Sequence, residues 1–110
     1  YSLKIIKTPS YVKDFNKKII NKHLEKEKLT IDKIEKLLIN SLNLKELMLN
    51  PLHNIYGIEK KCGNLKKIYT AKVNEKLRIY ITPNGEYPYE LSNIIEIELS
   101  KIDDKHYGEG

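Results

Sequence analysis

The apolar positions of this chain change their period about halfway along it. In "SYVKDFNKKIINKHLEKEK" they fall at Val12, Phe15, Ile19 and, less regularly, Leu24, with lysines between them. That spacing predicts one amphipathic helix. Thr30 then offers a hydroxyl that caps a second helix. Its stripe is Ile31, Ile34, Leu37, Leu38 and Leu42. Asp32 lies in the first turn of that helix, where a carboxylate suits the dipole. "NLKELMLNPL" adds a further short helix, stopped at Asn50-Pro51 because proline disfavours a helical residue before it. Ahead of the helices, "SLKIIK" reads as a strand from about Leu3 to Thr8, broken by Pro9 and Ser10.

From Lys66 the period becomes two. "KKIYTAKV" sets Ile68, Thr70 and Lys72 against Tyr69, Ala71 and Val73. "KLRIYIT" sets Leu77, Ile79 and Ile81 against Arg78, Tyr80 and Thr82. Asn74-Glu75 between them suits a hairpin turn. "PNGEYPYELSN" is a longer loop with Asn84-Gly85 as its strongest turn signal. "IIEIELSKI" is the last strand, with Ile95, Ile97 and Leu99 on one face; Asp103-Asp104 reads as the turn that ends it. The order β-α-α-β-β-β predicts an α+β fold, two N-terminal helices packed on a twisted antiparallel β-sheet. With Leu77, Ile79 and Ile81 toward the helices, Arg78 and Tyr80 fall on the opposite, open face.

Composition sharpens this picture. Hydrophobic residues make up 40% of the 110 positions, enough for one core, so residues 1–110 are read as a single domain. The net charge of +5 suits a phosphate- or carboxylate-rich partner without naming it. Arg78 is the one arginine among 20 basic residues, which suggests that a planar fork is wanted there. The single cysteine, Cys62, can close no intramolecular disulfide, and a reducing cytoplasm is the natural setting. No apolar run reaches membrane-spanning length. The first residues are too short and polar for a signal peptide. His23 and His53 show no ligand spacing, and no glycine-rich phosphate loop or paired-cysteine zinc motif is present.

Several residues in order carry a resemblance. Glu59 lies four residues before the turn "GNL" of Gly63-Asn64-Leu65. A strand, a short turn and "VNEKLRIY" with Arg78 follow, and the chain closes with His106-Tyr107. From Gly57 to Ile81, and again from Asp103 to Tyr107, the sequence resembles the RelE/ParE superfamily, the toxins of type II toxin–antitoxin systems, most nearly its YoeB and HigB branches. The segment from Leu42 to Tyr56 looks longer than in compact members. The resemblance implies a RelE-like fold, an endoribonuclease that cuts messenger RNA, on the ribosome or free, and a cognate antitoxin protein as partner.

The residues suit that chemistry. RNA cleavage without a metal needs a base for the ribose 2′-OH, an acid for the leaving 5′-oxygen and a cation for the charged phosphorane. Glu59 serves as base. His106, with a reference pKa of about 6.5, serves as acid, although the two could exchange roles. Arg78 clamps the phosphate. Tyr107 stacks on a base or orients the phosphate. Lys66, Lys67, Lys72, Lys76 and Tyr80 form the expected surface for RNA or ribosome. No cofactor is expected. Two other readings stay open: a non-nuclease ParE-like toxin that binds DNA gyrase, and a basic RNA-binding module. The residues also have plainer readings: Arg78 as a surface partner of Glu96 or Glu98, and His106-Tyr107 as a fraying tail.

Overall fold

The computed structural model describes residues 2–104. Strand β1 (Lys4–Lys7) leads into helix α1 (Pro9–Phe15). Thr8 makes the join: its Oγ1 accepts the Tyr11 N–H at 3.1 Å, and Pro9 stands in the first helical turn, where a missing N–H is harmless. The helix loosens into a π-type turn over Asn16–Ile20. It then breaks at Asn21–His23, with His23 in the left-handed region at φ 55.

Helix α2 runs from Glu25 to Ile39, so it starts before the expected cap at Thr30. Thr30 sits inside the helix and its hydroxyl donates to the Lys26 carbonyl at 3.1 Å. "EKEK" is built of good helix formers, and Glu25 and Glu27 occupy the first turn. Together with the left-handed His23 they fix the start. The first stripe is also rotated: Tyr11 and Ile19 are buried, while Val12 is 45% exposed.

Two short helices follow, α3 (Leu44–Leu49) and α4 (Leu52–Ile55), separated at Asn50-Pro51. Asn43 caps α3 by accepting the Glu46 N–H at 2.8 Å, and Glu46 reaches back to the Leu42 N–H at 2.8 Å. This reciprocal pairing satisfies two donors at the helix start.

Among the described residues the sheet has five strands rather than four. Beyond β1 they are β2 (Glu59–Lys60), β3 (Tyr69–Lys72), β4 (Leu77–Pro83) and β5 (Glu96–Asp104). Their spatial order is β1-β5-β4-β3-β2. β1 lies parallel to β5 and the other neighbours are antiparallel, so the sheet is mixed and not wholly antiparallel. The helices and strands β2 to β4 lie between β1 and β5, a connection long enough to bring β5 back beside β1 in the same direction, which a tight hairpin cannot do. β2, two residues long, is too short to announce itself by alternation.

One face of the sheet and the helices form the core. Tyr11, Ile19, Ile31, Ile34, Leu37 and Leu38 pack there with Ala71, Leu77, Ile79, Ile81, Ile97, Leu99 and Ile102. Of the expected face of Ile95, Ile97 and Leu99, Ile97 and Leu99 are buried, but Ile95 lies just before β5 and is 63% exposed, while Ile102 is buried. Tyr80 lies opposite Lys101 but Ile81 lies opposite Leu99. Ser100 is therefore an extra residue, a bulge that shifts parity and keeps Ile102 inward. Asp103 and Asp104 belong to the strand and pair with Arg78 and Leu77, instead of forming a turn.

Candidate active site

The face of the sheet away from the core gathers the sequence-predicted residues by register. Glu59 pairs with Thr70, Thr70 with Tyr80, and Tyr80 with Lys101. Cross-strand partners share a face, so these four form one row across β2, β3, β4 and β5. The next row holds Lys72, Arg78 and Asp103. Glu59 and Arg78 thus stand on one face, two strands and one row apart, roughly 12 Å between their Cα atoms.

That face is more closed at its centre than the alternation alone implied. Arg78 is 6% exposed and Tyr80 5%, so Arg78 does not lie on an open surface. β4 is flanked by strands on both sides, and residues on both its faces are buried. The Arg78 guanidinium turns toward the β3–β4 hairpin, where Nη1 donates to the Asn74 and Leu77 carbonyls. It lies beside Lys72 and Asp103 rather than beside Glu96 or Glu98.

Glu59 lies at the sheet edge and its side chain is largely exposed, with Lys61 Nζ 2.9 Å from Oε1. Lys61 follows two residues after Glu59, a spacing that puts both on one side of an extended segment. That signal was present in the sequence, and Lys61 was missed. Lys101 and Asp103 were missed for a different reason, since the bulge at Ser100 sets their direction. Lys101 Nζ lies 4.6 Å from the centre of the Tyr80 ring and 3.4 Å from Asp103 Oδ2. Lys18 reaches Asp103 Oδ1 at 3.4 Å. Burial works against the Asp103 carboxylate, but the Asp104 N–H, Lys18 and Lys101 outweigh it and hold its pKa below the ordinary value.

The other predicted lysines are dispersed. Lys72 pairs with Glu75 at 2.7 Å, and Lys76 is exposed in the hairpin turn. Lys66 and Lys67 are exposed on the connection between β2 and β3. His106 and Tyr107 lie outside the described residues, so the structure brings together Glu59, Arg78 and Tyr80 only as neighbours on one face. Thr70 adds a buried hydroxyl between Glu59 and Tyr80 that has no hydrogen-bond partner among the described residues. A separate groove of about 550 Å³ lies between α1 and α2, lined among others by Val12, Phe15, Leu29 and Ile31. Among the described residues, no helix is long and apolar enough to cross a membrane.

No protein-family model matches the chain, and no curated protein matches its sequence. Solved structures do match its fold. A crystal structure of YafQ from E. coli strain BL21(DE3) has a TM-score of 0.62 at 14% identity, covering 99% of this chain and 100% of that one. The E. coli DinJ-YafQ toxin-antitoxin complex has a TM-score of 0.61 at 16% identity, over 94% of this chain and 93% of that one. The YoeB-YefM complex from Staphylococcus aureus has a TM-score of 0.60 at 18% identity, over 96% and 100%. At nearly full length in both directions, the chain has the fold of the YafQ and YoeB structures.

Proposed function

We propose that the protein is the toxin of a type II toxin–antitoxin pair and that it cleaves messenger RNA, on the ribosome, without a metal ion. The observation that carries this reading is the full-length likeness to YafQ and YoeB, two toxins solved in complexes with partner proteins. A cognate antitoxin is the protein partner in this reading, and the bacterial cytoplasm is the setting.

In this reading the sheet-face residues work with His106 and Tyr107. The Glu59 carboxylate takes the proton of a ribose 2′-OH, and the freed oxygen attacks the adjacent phosphorus. The P–O5′ bond breaks as His106 gives a proton to the departing oxygen. The products are a 2′,3′-cyclic phosphate and a 5′-OH end. Arg78 counters the charge of the phosphorane, its plane oriented by the Asn74 and Leu77 carbonyls. Lys61 holds the Glu59 carboxylate from the side, and Tyr107 takes a base or the phosphate.

The test is primer-extension mapping of transcripts after brief expression of the parent, Glu59→Gln, Arg78→Lys and His106→Ala. Cleavage by the parent and its loss in Glu59→Gln and His106→Ala is the expected result. Removing a general acid or base slows cleavage about 10²–10⁴-fold. Equal cleavage by all four proteins overturns the site. A second reading, a toxin that acts by binding, draws on the burial of Arg78 and its hairpin contacts, which also suit a structural arginine. Growth arrest with intact transcripts and damaged DNA selects that reading.

A further inference from the structure

Three of the eight tyrosines meet at the end of the sheet nearest β2. Tyr87 and Tyr89 stand edge to face, with ring centres 5.4 Å apart and planes at 90°. Tyr69 of β3 is near enough that both rings act on it. Burial first, then Tyr89 and Tyr87, push its hydroxyl pKa up. Tyr89 has a fastening role, because its hydroxyl donates to the Lys67 carbonyl at 2.8 Å. That bond ties the β4–β5 loop to the β2–β3 connection. The loop also lies close against the core: a Cβ at Gly85 would sit 2.6 Å from Ile94 Cδ1.

Tyr87 has no such structural task. It is half-buried, and its hydroxyl has no hydrogen-bond partner among the described residues. Its ring is held from the side by Tyr89, and Lys66 Nζ lies 5.5 Å from its centre. Among the described residues neither Lys66 nor Lys67 is paired with a carboxylate, and both are exposed. A supported aromatic ring next to unneutralised lysines is the combination that single-stranded nucleic acid uses: the ring takes a base and the lysines meet the backbone. Two carboxylates of the same loop, Glu86 and Glu90, oppose this. Glu90 is engaged by the Ser92 hydroxyl at 3.2 Å, and Glu86 is exposed.

The topology supplies the connection. Lys60 pairs with Tyr69, and Glu59 with Thr70, so Tyr69, which Tyr87 and Tyr89 approach, and Glu59 lie on opposite faces of the β2–β3 pair. A strand of RNA seated at Glu59 reaches the cluster by passing over β2, the last strand of the sheet. We infer that Tyr87, with Lys66 and Lys67, forms a nucleobase-stacking subsite for single-stranded RNA, separate from the cleavage residues. This rests on the RNA-cleavage reading only for the source of the strand.

A short 2′-O-methyl RNA carrying 2-aminopurine is the probe, because it lacks the attacking hydroxyl and reports stacking by fluorescence quenching. Stacking on one aromatic ring predicts about five- to 150-fold weaker binding for Tyr87→Ala. Quenching is lost in that variant, and Tyr87→Phe binds and quenches like the parent. Lys66→Gln with Lys67→Gln lowers the slope of log K against log salt by roughly 1.4. The inference is overturned by Tyr87→Ala binding and quenching like the parent, by Tyr87→Phe losing both, or by a parent that does not bind the probe. If Tyr87→Ala does not fold, Tyr87→Phe and the lysine pair decide, and an unchanged salt slope overturns it. Transcript cleavage with normal Tyr87→Ala binding removes this subsite and leaves the nuclease. Tyr87-dependent binding without any cleavage removes the nuclease and leaves the subsite.

Discussion

Tyr11 is the residue through which α1, α2 and β1 are joined, and its hydroxyl is a measurable part of that joint. The ring is almost wholly buried, and Oη donates to Glu35 Oε2 at 2.8 Å. Glu35 also meets Lys7 of β1 at 3.0 Å, with its side chain 17% exposed. Tyr11→Phe keeps the ring and removes one hydrogen bond to a charged group, an interaction worth about 1.5–3 kcal/mol. Glu35 retains Lys7 and some water, so the lower end applies, about 1.5 kcal/mol. For a domain near this size that lowers Tm by about 6–12 °C. Burial first, then the Glu35 charge and the hydrogen bond to it, raise the Tyr11 pKa well above 10.0. The hydroxyl therefore keeps its proton in the folded state where the unfolded chain would lose it. Its stabilising contribution is complete below pH 10.0 and is lost as the pH rises above that. Urea unfolding from pH 7 to 11 on the parent and Tyr11→Phe measures both effects. A difference below about 0.5 kcal/mol at pH 7, or equal alkaline slopes, refutes the role given to this hydroxyl.

Two further predictions concern the sheet. Gly57 has φ +57, and a Cβ there would lie 3.1 Å from Lys72 Cβ, whereas Gly63 at φ +66 has open space. Gly63→Ala is expected to lose about 1–2 kcal/mol of stability through backbone strain alone. Gly57→Ala should lose more in the same urea titration, and equal losses would show that the Lys72 contact does not matter. Asp103, with its pKa held below 3.8, stabilises the fold above that pH, and the contribution is lost as the pH falls below it. Asp103→Asn should flatten the acid limb of a thermal-melting series against pH, and parallel limbs in parent and variant would contradict the ion-pair account.

The sequence by itself determined what depends on near neighbours. The helical stripe of Ile31, Ile34, Leu37 and Leu38, the stop at Asn50-Pro51 and the inward parity of Leu77, Ile79 and Ile81 all follow from spacing of three to four, or of two, within one element. Side-chain direction repeats with the backbone, so no distant contact is needed to read it. Local spacing did not place every helix start, since Thr30 has the chemistry of a cap but lies inside α2. The break was set instead by the left-handed His23 upstream.

Tertiary structure decided which elements meet. The parallel pairing of β1 with β5, the two-residue β2 at the edge and the bulge at Ser100 each depend on partners far along the chain. One extra residue in β5 reversed its parity beyond Leu99, burying Ile102 and sending Lys101 and Asp103 to the face that carries Glu59 and Arg78. The same assembly closed β4 on both faces and turned the Arg78 fork onto the Asn74 and Leu77 carbonyls. Local periodicity states which way a side chain points from its own strand. The groups it then meets are fixed by strand register, which the long-range packing of the whole core selects.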